Sequence, residues 1–185
     1  MKIAYLTIDD APTRDFRAKV DILLDKGIPA IFFCRGDLLE KNREEAILAL
    51  KKGFILGNHA YSHPHFSEIS VEECKEQIQK TDAILAEIYA EVGIAWKHKL
   101  FRFPYGDKGG EKHEELQAFL QELGYAQPTF AGITYDWFNQ SNLATDADML
   151  WTFDVKEWCL TGAYEPELRS IEAIYRRWIR KTLIR

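Results

Sequence analysis

Ile3-Ala4-Tyr5-Leu6-Thr7-Ile8, then residues 14–26, then Pro29-Ala30-Ile31-Phe32-Phe33-Cys34 read as strand, helix and strand in quick succession. The first run is apolar and partly β-branched. The middle one sets Phe16, Val20, Leu23 and Leu24 at helical spacing and stops at Gly27. The third is apolar on consecutive residues, as expected of a strand buried on both faces of a parallel sheet. Working outward, the alternation continues. A helix is predicted over 44–52, closed by Gly53, and a strand over 54–56. Residues 71–92 predict a long helix with Cys74, Ile78, Ala83, Leu85 and Ile88 inward, opened by the capping-box pair Ser70 and Glu73. A strand over 100–103, a helix over 111–123 and a strand over 149–153 follow. The last helix, 166–183, carries Ile171, Ile174, Tyr175, Trp178, Ile179 and Leu183 on one stripe. Repeated strand–helix units predict an α/β fold, and at this length a short (β/α) barrel in preference to an open sheet.

Size and charge narrow the function. The 185 residues, 46% of them hydrophobic, suit one globular domain spanning 1–185. A net charge of −5 with interspersed signs disfavours nucleic acid as a partner. Cys34, Cys74 and Cys159 are odd in number and widely spaced, which fits a reducing compartment better than a disulfide framework. Met1-Lys2 runs straight into the first apolar run without a signal-peptide pattern, and no stretch has membrane-spanning length, so a cytoplasmic protein without membrane contact is expected. The basic residues Arg176, Arg177, Arg180 and Lys181 read as the solvated face of the last helix.

Four short segments carry the chemistry. Asp9 and Asp10 end the first predicted strand ahead of Pro12. Adjacent side chains leaving a strand diverge, so the two acids can do different work, though an acidic loop before a helix looks the same. His59 and His63, four apart, would share one side of a single helical turn that Pro64 cuts short. Two imidazoles and a carboxylate make a catalytic zinc set with a position left for water, while a lone histidine pair is more often structural. His65 is the spare of this cluster, and His98 and His113 read as surface residues. Arg102-Phe103-Pro104-Tyr105-Gly106 shapes a corner able to aim an amide N–H into a pocket, or simply a Pro–Gly turn. Asp154 and Glu157-Trp158 follow a predicted strand, so they are preferred over the rival Tyr135-Asp136-Trp137. They could orient Arg102 and floor a sugar site.

In that order, these segments resemble the motifs of the polysaccharide deacetylases, carbohydrate esterase family 4. Ile8, Ala11, Ala60 and Glu157 depart from the family pattern. The resemblance implies a distorted barrel of about seven parallel strands. It implies Asp9 as catalytic base and Asp10, His59 and His63 as ligands of one divalent metal, zinc first, with cobalt or manganese as alternatives. The Tyr105 amide is implied to hold the oxyanion, and Arg102, buttressed by Glu157, to place its charge beside Asp9. Pro104, Tyr105 and Trp158 would contact the carbohydrate substrate. The family's fifth motif, an apolar strand ending Leu-x-His, is absent, and no histidine follows His113. The last barrel strand, and with it the general acid, is therefore expected to be missing by truncation. Residues 126–148, carrying Phe130, Tyr135, Trp137 and Phe138, read as an insertion. The function implied is removal of N-acetyl groups from amino-sugar oligo- or polysaccharides. The alternatives are a deacylase of another small amide or ester, and a non-catalytic carbohydrate-binding or scaffold protein on the same frame.

Overall fold

The computed structural model describes residues 6–128, 145–150, 156–160, 167 and 169–182. The chain divides into two compact units, Met1–Leu150 and Trp151–Arg185. In the first, strands β1 (Leu6–Ala11), β2 (Ala30–Cys34) and β3 (Ile55–Asn58) form a parallel sheet in that order. Helix α1 (Phe16–Asp25) joins β1 to β2, and the short α2 (Gly36–Lys41) and α3 (Arg43–Lys51) join β2 to β3. The long α4 (Val71–Val92) and α5 (His113–Glu122) follow.

β2 is buried along its whole length, as its unbroken apolar run predicts. Its side chains alternate between two clusters. Ala30, Phe32 and Cys34 pack with Phe16 and Val20 of α1 and Leu85 and Ile88 of α4. Ile31 and Phe33 turn the other way, against Leu100 and Met149. Phe32 takes edge-to-face contacts from Phe16 and Phe54, at 4.6 and 5.4 Å between centroids. α4 keeps its predicted ends. Ser70 accepts the Glu73 N–H while the Glu73 carboxylate accepts the Ser70 N–H, and left-handed Gly93 closes the helix.

Among the described residues three strands are found, where about seven are expected from the resemblance. The expected strand over 100–103 is present as ladder bonding. Asn58 N–H donates to the Leu100 carbonyl at 2.8 Å and Arg102 N–H to the Asn58 carbonyl at 3.0 Å. Met149 N–H continues the ladder to the Phe101 carbonyl at 2.7 Å. The segment leaves the ladder at Pro104, which has no N–H to give. The rest of the strand expected over 149–153, and most of the 126–148 insertion, lie outside the described residues.

Tyr89 of α4 ties helix to sheet: its hydroxyl donates to the Leu56 carbonyl at 3.0 Å and accepts the Leu56 N–H at 3.1 Å. Burial pushes this phenol up to about 12. A raised acid stabilises the fold below its unfolded value near 10, and that contribution is lost as pH rises towards 12. Urea unfolding of wild type between pH 9 and 11.5 is therefore expected to lose about 1–2 kcal/mol more than the Tyr89→Phe variant loses. Equal losses would mean the phenol ionises freely in the fold.

In the second unit, helix α6 (Ile171–Thr182) follows a 3-10 turn at Glu157–Leu160. Of its expected apolar stripe, the described side chains divide: Ile174 packs with Cys159, whereas Ile171 and Tyr175 are exposed. No described helix is long and apolar enough to cross a membrane.

Candidate metal centre

The site is built at the C-terminal ends of the parallel strands. β1 runs through both acids to Ala11, further than its apolar run suggests. Its pairing with β2 passes from Ile8–Phe32 to Ala11–Cys34, three steps against two. This bulge at Asp9-Asp10, with Asp10 at φ +58°, turns the two carboxylates apart. A cis peptide bond, Ala11-Pro12, ends the segment.

The His59–His63 loop is not the helical turn that the spacing suggests. Ala60 and His63 both have positive φ, +61° and +63°, and the segment lacks helical bonding. The fully buried Asn58 sets this loop. Its side-chain amide donates to the Ile78 carbonyl at 3.0 Å and the Tyr125 hydroxyl at 2.8 Å, and its carbonyl accepts the Ala60 N–H at 2.9 Å. His59 N–H then reaches back to the Cys34 carbonyl at 2.8 Å.

The loop still brings both imidazoles together, 4.8 Å between centroids. His59 Nδ1 lies 2.8 Å from the Arg102 carbonyl, so it carries the proton and Nε2 keeps a lone pair. His63 Nε2 lies 3.6 Å from Asp10 Oδ1. One ligand atom from each of Asp10, His59 and His63 falls within 4.8 Å of the others. Burial holds both imidazoles below the usual histidine range, with nearby carboxylates opposing it. They are therefore neutral donors at pH 7. Asp10 Oδ1 is buried without a hydrogen-bond partner. An orphaned carboxylate oxygen facing two neutral imidazoles fits a divalent cation of the zinc type.

Asp9 faces Arg102 instead, which donates from Nη1 to Asp9 Oδ1 at 2.8 Å. Arg102 is almost fully buried. Nη1 also donates to Thr7 Oγ1 at 2.8 Å and Nε to the Met149 carbonyl at 2.9 Å, while the guanidinium lies 4.2 Å over the Phe33 ring. Burial lowers its pKa, and the Asp9 and Asp148 charges oppose that. At the Pro104 corner, Tyr105 sits at φ +59°. Its amide N–H has no acceptor among the described residues, whereas Gly106 and Asp107 donate to the Phe103 and Pro104 carbonyls. The exposed Tyr105 ring stacks on His65 at 3.9 Å and meets His63 edge-on.

The structure thus gathers Asp9, Asp10, His59, His63, Arg102, Pro104 and Tyr105. Asp154 and the side chains of Glu157 and Trp158 lie outside the described residues, as does the rival Tyr135-Asp136-Trp137. His113, expected at the surface, is partly exposed and also paired. Its Nε2 lies 3.1 Å from Asp146, which, with the nearly inaccessible Asp148, also pairs with Lys108 at 2.6 and 3.0 Å. The charged residues around them hide this pair in the sequence. Thr7, Asn58 and Asp148 are not singled out by any motif, and Thr7 alone, on β1 beside the acids, could have been found from position.

The site defines an α/β protein with an acid–histidine cluster at the ends of its parallel strands. Residues 1–128 match the family model for polysaccharide deacetylase, and the chain belongs to that family. It is 34% identical over 103 residues to the peptidoglycan-N-acetylglucosamine deacetylase of Bacillus cereus, covering 55% of this chain and 36% of that one. It is 33% identical over 121 residues to the peptidoglycan-N-acetylmuramic acid deacetylase PdaC of Bacillus subtilis, covering 63% of this chain and 24% of the relative. The chain thus spans well under half the length of either. The solved structure of PdaC superposes with a TM-score of 0.62 at 25% identity, over 97% of this chain and 69% of that one. A family 4 pseudoenzyme from Bacillus anthracis shares the fold, with a TM-score of 0.66 at 22% identity over 97% of this chain and 51% of that one.

Proposed function

We propose that this chain carries a metal-dependent deacetylase centre that removes acetyl groups from N-acetylated amino sugars of an oligo- or polysaccharide. The observation that carries the reading is the grouping of Asp10, His59 and His63 around one point, with the Asp9–Arg102 pair beside it. Relatives named for deacetylating N-acetylglucosamine and N-acetylmuramic acid support a glycan amide as the substrate.

Asp10, His59 and His63 would hold the cation. Bound there, zinc, or cobalt or manganese in its place, supplies Lewis acidity towards the acyl carbonyl and makes a water easier to deprotonate. Asp9 takes the proton of the attacking water as general base and returns it to the nitrogen as the C–N bond breaks, so that the sugar leaves as the free amine and the acetyl group as acetate. Arg102 fixes the Asp9 carboxylate through its 2.8 Å bond and keeps a positive charge beside it. The Tyr105 N–H donates to the oxygen that becomes negative as the acetyl carbon turns tetrahedral. Pro104 holds that corner. The ladder bonding that runs on from β3 towards Met149 supports a sheet that curves as part of a barrel.

The test is acetate release from acetylated amino-sugar oligomers by the metal-loaded protein, with formamides and acetyl esters alongside. Release that a chelator stops and zinc restores is expected. A protein that binds one metal ion and the oligomer, yet releases no acetate, is a carbohydrate-binding member on a deacetylase frame.

A further inference from the structure

Arg35, directly after β2, takes no part in the chemistry above, yet the fold fixes it beside the site. Its N–H donates to the Ala11 carbonyl at 2.9 Å and the Gly36 N–H to the Ala60 carbonyl at 3.0 Å, so it is tied both to the Asp9-Asp10 loop and to the histidine loop. Gly36 permits this close passage: a Cβ there would lie 2.5 Å from Thr81 Oγ1 and from Tyr61 Cδ2. One edge of the guanidinium is committed, with Nε and Nη2 donating to the two Asp37 oxygens at 3.0 and 2.9 Å. The clamp sets the plane and turns the remaining edge towards the site. Nη1 stands 3.8 Å from Asp10 Oδ1, too far for a hydrogen bond, and donates to no group among the described residues.

A fixed, partly exposed guanidinium edge with unused N–H groups is a receptor for a planar anion. Asp37 already balances the guanidinium charge, so the draw on a further anion comes from the unused N–H groups together with the divalent cation that Asp10 would hold. Arg35 Nη1 stands 3.8 Å from Asp10 Oδ1, so an acetamido group received at Asp10, His59 and His63 would bring the substituents of the neighbouring ring carbons towards Arg35. We propose that Arg35 is a specificity-determining residue that receives a carboxylate carried by the amino sugar beside its acetamido group, so that the site favours acidic N-acetylated sugars over neutral ones. This rests on the deacetylase reading for the placement of the acetamido group.

The test uses two N-acetylated oligosaccharides differing only in a carboxyalkyl ether on the hydroxyl oxygen of the ring carbon next to the acetamido-bearing carbon. They are given to zinc-loaded wild type and to the Arg35→Gln and Arg35→Lys variants. Wild type is expected to prefer the acidic sugar in kcat/KM, and to lose the preference at high salt. Arg35→Gln is expected to raise KM for the acidic sugar roughly 10- to 100-fold, the range of charge-assisted hydrogen bonds, with a far smaller change in kcat. Arg35→Lys, which keeps the charge and loses the fork, is expected to fall between. No preference in wild type, or equal losses on both sugars in Arg35→Gln, overturns the inference and leaves Arg35 as a support for Asp10. If neither sugar is hydrolysed, the deacetylase reading fails by itself, and calorimetric binding of the two sugars decides this one. Tighter binding of the acidic sugar that disappears in Arg35→Gln sustains it, and equal binding overturns it.

Discussion

Asp9→Asn is expected to lower kcat for acetate release by roughly 10²- to 10⁴-fold, the usual worth of a general base. The substitution changes little else in shape. An asparagine oxygen can still accept the Arg102 Nη1 donor that now reaches Asp9 at 2.8 Å. What is lost is the ability to take a proton. The buried guanidinium also loses a counter-charge, so a stability loss of about 1–3 kcal/mol accompanies the rate effect. Metal binding should be nearly unchanged, because Asp9 points to Arg102 and not into the Asp10–His59–His63 group. Retention of more than about a tenth of wild-type turnover would falsify the assignment, since no general base is worth so little.

Asp10→Asn is expected to act through the metal instead. Losing a hydrogen bond behind a ligand already costs about 10- to 100-fold in affinity, so losing the charge of a ligand should cost more than about 100-fold. Asp10 Oδ1 has no hydrogen-bond partner, so the fold does not depend on that charge for such a bond. Competition with a chromophoric chelator gives the affinity directly. Acetate release should fall in parallel and return in part with excess zinc. An unchanged affinity would remove Asp10 from the ligand set.

How far the sequence discloses this site depends on the distance over which each feature is decided. The capping box at Ser70 and Glu73 and the two-faced burial of β2 are local, and both are legible. The β1 bulge is less so: the apolar run ends at Ile8, while the strand continues because Ala11 still pairs with Cys34. The histidine spacing picks out two residues that the fold does bring together, but on a different backbone. A four-residue step suggests a helical turn, but Asn58 overrides it through partners 20 and 67 residues away. The six-residue α2 is too short to show a period. Arg102 stands out within its Pro–Tyr–Gly corner, but its contacts with Met149 and Thr7 join residues 47 and 95 positions apart. The burial of Lys108 and His113 is decided by Asp146 and Asp148, more than thirty residues on.

The left-handed residues around the site restrict what can replace them. Asp10, Ala60, His63 and Tyr105 all have φ near +60° without being glycine. A replacement must therefore suit the backbone as well as the chemistry. Aspartate, asparagine and histidine tolerate this region better than most residues, whereas β-branched residues are poorly suited to it. At Asp10 and His63 the conformational and the ligand requirements coincide in one short menu. Drift at these positions is thus confined twice over, and a lineage that gave up the metal would still find valine or isoleucine barred from both.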